Sequence, residues 1–440
     1  MSRVRWFAVS LLLAEMGCHS PGASPHASEP VGVDVEAALA LAPVEGAGPA
    51  DRSVTRAQER ARREGSAEAW VALGHAWIRK ARADADPGLH HSARAAATLA
   101  RRVHPGDRSA DALEATLLAS DHRFAEARAL AESVLRADST DRVALAAVSD
   151  AALELGDVEA AVAAAQQMMD LKPDLASYAR AAHLRWIHGD TRAAKALMRS
   201  AIDAAGSDRE ALAWALVEAA GLFWHEGDYA GAAEGCQRAL EAIPDYPPAL
   251  VCAGRAALSA GDAARAVAFL ERARARTSTV ELEWLLGDAL AATGDDVGGE
   301  TAWGRARRAG RWDALALGLF LASRTGDVRE AVRLLEAEHA VRPSLQVTEA
   351  LAWALQRAGR TDEAATLSDA ALRLGTPDAR WWFHAGAIRI ARGDVKAGRA
   401  MLRRALRLNP RFDVRDAEEA AALLKSSQSG RVVASAEGSR

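Results

Sequence analysis

The chain has 440 residues, with 55 Lys and Arg against 59 Asp and Glu and an aromatic fraction of 5%. A formal charge of −4 gives no global field to gather nucleic acid or an anionic membrane surface. Abundant Ala, Leu, Arg and Glu with only 14 Pro favour helices and argue against a sheet.

At the amino terminus Arg3 and Arg5 precede an apolar run from Trp6 to Ala14, and Gly17-Cys18 follows. The run is too short to span a bilayer. It resembles a bacterial lipoprotein signal, in which a Cys after a small residue is lipidated and becomes the new N-terminus, although Glu15 stands where that pattern usually has Leu. The resemblance implies a signal over residues 1–18, lipidation of Cys18, and a lipid-anchored protein of the cell envelope facing the periplasm. A soluble periplasmic protein is the alternative. Residues 19–50 read as a flexible linker. Its first 15 residues, HSPGASPHASEPVGV, span roughly 20 Å by random-coil scaling, and a short helical patch follows at Val35 to Leu41.

Gly-Asp recurs at Gly156-Asp157, Gly189-Asp190, Gly227-Asp228, Gly261-Asp262, Gly294-Asp295, Gly326-Asp327 and Gly393-Asp394, with Gly359-Arg360 filling the gap. The intervals are 33, 38, 34, 33, 32, 33 and 34 residues. Apolar residues at i, i+3, i+4 and i+7 on either side of each Gly make the unit a helix–turn–helix. Glycine is expected where the first helix ends through a positive φ, and Asp where the second begins.

Small residues recur at fixed places, with Ala232 and Ala239 before Pro244, and Gly386 and Ala405 before Pro410. Pro173 and Pro343 close further units, and the first unit reads Trp70, Leu73, Gly74 and Trp77. This pattern resembles the tetratricopeptide repeat family. The resemblance implies an all-α, right-handed superhelical solenoid of about ten helix pairs over residues 51–412. A capping helix is expected over 413–427 and a disordered tail over 428–440.

No P-loop, dinucleotide fingerprint, His-Glu-x-x-His, Cys-x-x-Cys or nucleophile elbow is present. We therefore expect no enzyme, no cofactor, no metal and no small-molecule substrate. His90, His91 and His104 do not converge on helical spacing and read as surface residues. Cys236 and Cys252 are expected to be neighbours in the stack. Buried free thiols standing in for Ala are the favoured reading over a disulfide.

In the resembling family the first helices line a concave, partner-binding face. The repeat frame places Trp186, Trp214, Trp224, Trp284, Phe320, Trp353 and Phe383 there, as candidate anchors for a protein or peptide. The competing reading makes the same aromatics core. Polar neighbours on that face are His183, Arg255, Glu281, Asp288, Gln346, Glu349 and Arg380. The resemblance does not extend to the two-carboxylate clamp of some members, which needs Asn on first helices, because the chain's one Asn is Asn409. Arg399, Arg403, Arg404, Arg407 and Arg411 read as a solvated outer face. The expected function is an exported, lipid-anchored interaction scaffold. A structural subunit of an envelope or secretion assembly, and a regulatory partner of a separate enzyme, are the alternatives.

Overall fold

The computed structural model describes residues 34–84 and 86–425, so the signal with Cys18, residues 19–33 and the tail after 425 lie outside the described residues. All regular structure among the described residues is helical, and no helix there is long and apolar enough to cross a membrane. The chain divides into two compact units, described over residues 34–147 and 148–425, with the boundary inside the helix Arg142–Glu154.

In the first unit the helices Val35–Ala40 and Pro49–Glu64 precede the pairs Ala67–Asp84 with His90–Val103 and Arg108–Ser120 with Phe124–Ala137. Part of the stretch read as linker is fixed here. Trp77 Nε1 donates to the Ala40 carbonyl at 2.9 Å and Gln58 Nε2 to that of Ala42 at 2.8 Å. Ala37, Leu41 and Val44 pack on the same apolar cluster, so this part of the stretch belongs to a core. His90 and His91 open the helix His90–Val103 and His104 follows its end, which sets them about 20 Å apart.

The second unit stacks pairs in succession, from Val158–Leu171 with its preceding helix through Leu175–Ile187 with Thr191–Ala204 to Ala379–Ala391 with Val395–Leu408. The Gly-Asp repeat supplies each turn. The repeat's own glycines, Gly156, Gly189, Gly227, Gly261, Gly294, Gly326, Gly359 and Gly393, hold φ between 75° and 95°, the left-handed region that residues with a Cβ resist. Except at Asp327, the following Asp side chain caps the second helix by accepting an N–H three residues on, as Asp190 does from Ala193 at 2.9 Å and Asp394 from Ala397 at 3.1 Å. Arg360, in the one unit without Asp, makes no such cap. Small residues then set the helix spacing: a Cβ on Gly398 would stand 2.7 Å from the Gly386 carbonyl oxygen, so only glycine permits this approach.

This unit also closes on itself. Thr376 Oγ1 donates to the Ile187 carbonyl at 2.8 Å, Arg342 Nε to Glu154 at 2.7 Å and Asn409 Nδ2 to the Trp224 carbonyl at 2.7 Å. These partners lie 185 to 189 residues apart, about five and a half repeat periods, so turns early in the unit meet connections late in it. The one Asn is fully buried and also accepts from the Tyr229 hydroxyl at 2.6 Å. After it, residues 409–415 run without a helix into a final helix over 416–425.

Cys236 and Cys252 correct the free-thiol expectation. They form a disulfide between the helices Tyr229–Ala242 and Pro247–Ala260, with Cα atoms 5.9 Å apart, because the small-residue seam that favours Ala also brings two β-carbons into bonding range. The protein recovered from an oxidising compartment should resist thiol alkylation at both positions when denatured without reductant. Mass spectrometry should show two labels there only after reduction, and labelling without reductant would refute the bridge.

Candidate protein-binding face

The seven aromatics of the repeat frame fall into two clusters. Trp284, Phe320, Trp353 and Phe383 share one, with Trp224 at its margin, and Trp186 lies in the other with Trp214 beside it. Ring centroids stand 5.5 Å apart for both Trp284–Phe320 and Trp353–Phe383. Trp186, Trp284, Phe320, Trp353 and Phe383 are buried, whereas Trp214 and Trp224 are half-buried. In this conformation Trp284 packs on Phe320 and Trp353 on Phe383, Trp186 packs on His183 and His225, and the five buried rings present no open anchor surface.

What covers part of the larger cluster is the chain's own segment after the last pair. Phe412 is buried with its ring centroid 5.8 Å from that of Phe383, and Ala417 and Ala420 join the same cluster. The segment is held by charge as well. Arg324 sits in a π-helical turn, Leu321–Thr325, that continues the first helix Ala314–Phe320. The turn shifts the register of the last residues of that helix and the Arg324 side chain is fully buried. Its Nη2 donates to Asp288 Oδ2 at 2.9 Å and to both oxygens of Asp413 at 2.6 and 2.7 Å. Asp416 lies 3.4 Å from Nη1. Arg380 adds a second cation at 3.5 Å from Asp413, and its guanidinium, like that of Arg324, lies over the Trp284 ring.

One guanidinium cannot serve three buried carboxylates equally. Burial raises the Asp413 pKa, but Arg324 and Arg380 outweigh it and hold that carboxyl well below its ordinary range. Burial dominates at Asp288 and raises it. At Asp416 burial, reinforced by the neighbouring Asp413 charge, pushes the pKa up to about 6. Asp413 therefore carries the firm ion pair, while Asp288 and Asp416 keep part of their desolvation cost.

A cavity of about 100 Å³ remains beside the segment, bordered by Trp224, Arg255, Glu281, Trp284, Glu349, Arg380 and Phe412 among others. Of the polar residues expected on this face, Arg255, Glu281, Asp288, Glu349 and Arg380 line it; His183 and Gln346 do not. Arg255 is ion-paired with Glu281 and lies over the Trp224 ring. His225, also on the wall, is pushed down to about 4 by burial and is thus neutral at pH 7. His225 Nε2 and Glu349 Oε2 are buried with no hydrogen bond to the protein.

Sequence reasoning missed Arg324, His225, Phe412, Asp413 and Asp416. The spacing Phe412-Asp413-x-x-Asp416, an aromatic followed by two acids, was the available signal. Nothing in the sequence announces the π turn that turns Arg324 inward.

The tetratricopeptide repeat family model matches residues 223–295, so the helix pairs within those residues are of the tetratricopeptide type. No curated protein matches the chain. Similar solved structures include PilW, described as a widely conserved type IV pilus biogenesis factor, at 16% identity and TM-score 0.42, covering 49% of this chain and 99% of that one. A human IFIT1 dimer with PPP-AAAA matches at 14% identity and TM-score 0.45, covering 86% and 95%. The APC/C hetero-tetramer Cut9-Hcn1 matches at 11% identity and TM-score 0.37, covering 88% and 98%. At these TM-scores none lends this chain an activity.

Replacing Arg324 by Met leaves three buried carboxylates without their common counter-charge. The expected cost is about 3–5 kcal/mol, read as a lower melting temperature with early proteolysis after residue 408. A melting curve unchanged from the parent would contradict the role given to Arg324.

Proposed function

We propose that this chain is a non-catalytic, exported scaffold for protein–protein interaction, anchored by a lipid on Cys18, that grips a partner segment on the inner face of its second unit. The observation that carries the reading is the way residues 409–416 are held there. Side chains from separate repeats, Arg324 on one and Arg380 and Phe383 on another, converge on one short piece of non-repeat chain, and Asp288 from a third pairs with Arg324. A face that holds such a segment in cis has the chemistry to hold one in trans, with aromatic and Arg side chains as anchors. Trp224 and Trp214 are the candidate anchors that retain exposed surface. The Cys236–Cys252 disulfide favours an oxidising compartment and so supports export.

The lipid is tested by fractionation. Cys18→Ala should move the protein from the membrane to the soluble periplasmic fraction, since the lipid on Cys18 is the source of the proposed membrane affinity. Recovery of the unaltered protein wholly from the cytoplasm would remove both the anchor and the export reading.

A further inference from the structure

Resting on that scaffold reading, we infer that the inner face is selective for a partner segment in which an aromatic residue is followed at once by an acid and, three residues later, by a second acid, and that Phe412-Asp413-x-x-Asp416 occupies the site as a stand-in until such a partner displaces it. The partner's chemistry is written in the seat. The aromatic residue enters the place of Phe412 against Phe383. The first acid takes the Arg324 and Arg380 charges that now hold Asp413. The second acid reaches Arg324 Nη1 where Asp416 stands. A neutral peptide in the same place would leave Arg324 buried with Asp288, itself raised by burial, as its remaining counter-charge, a penalty in a dry interior.

The resident segment fills this seat imperfectly. Beside Phe412 and Asp413 stays the cavity of about 100 Å³. On its wall, Glu349 Oε2 and His225 Nε2 make no hydrogen bond to the protein, and each residue is 3% exposed. Buried polar atoms left unpaired carry a desolvation cost that a ligand able to pair them would recover. A partner that adds a donor toward Glu349 therefore has a gain the resident segment lacks. Displacement need not undo the fold. Asn409 ties the close of the last pair to Trp224 and Tyr229, upstream of Phe412, and the segment from 412 onward lies outside the repeated pairs.

The test uses the full chain and, as probe, a fluorescein-labelled peptide of residues 410–425, followed by anisotropy. In the unaltered chain the resident segment competes at the high effective concentration of a tethered ligand. The double variant Phe412→Ala/Asp413→Asn should therefore bind the peptide at least tenfold more tightly than the unaltered chain. Binding should be lost when the peptide itself carries those two changes, and when Arg324→Met is added to the receiving chain. Phe412→Ala alone serves if the double variant does not fold. Failure of both to melt cooperatively would make the segment an integral part of the fold and overturn the proposal. A folded, loosened chain that does not bind, or equal binding by loosened and unaltered chains, would also overturn it. Photo-crosslinking in the cell envelope from benzoylphenylalanine at position 224 tests the scaffold reading separately. A partner captured there that lacks the aromatic and acid pattern would leave the scaffold and discard the selectivity.

Discussion

One fully buried guanidinium organises the inner face of the second unit. Arg324 has no exposed side-chain surface and answers to carboxylates from two sources, Asp288 on a first helix and Asp413 with Asp416 beyond the last pair. A charge placed in such an interior is tolerable only where counter-charges meet it. Arg324 thus fixes where the segment after residue 409 docks on this face. The aromatic cluster follows the same logic, since Trp284 lies under both Arg324 and Arg380 while Phe412 completes the ring contacts of Phe383.

That arrangement links repeat geometry to function. Each Gly-Asp turn sets one pair's angle, and the sum over about five and a half periods brings Gly156 against Pro343 and Gly227 against Asn409 and Pro410. A coil that closes so soon brings its first helices close enough to bury large rings, and leaves an inner space small enough for one short segment to occupy. The disulfide between Cys236 and Cys252 staples two consecutive pairs midway along this coil, where a change of angle would propagate into the seat.

Much of the fold was legible in the residues. The Gly-Asp spacing carried the positive-φ turns and most of the Asp caps, while the seven aromatics of the repeat frame fall into two clusters, with Trp284, Phe320, Trp353 and Phe383 buried together in one. Whether that face is open or filled depends on the number of pairs per coil, an accumulated angle that no single repeat encodes. Arg324 was hidden for a local reason: one extra residue per turn at Leu321–Thr325 breaks the helical register on which the frame relied. The disulfide was masked because Cys and Ala suit the same small-residue seam, and only the three-dimensional distance separates the two uses.

The segment after residue 411 is docked yet separable from the repeats. Native-state hydrogen exchange of the full chain, followed as denaturant is raised, tests this most directly. The account predicts that amides over 412–425 are protected at rest and open together at lower denaturant than the helices Val280–Ala292 and Leu345–Arg357. Exchange of 412–425 only with global unfolding, or as fast as a free peptide from the outset, would contradict it.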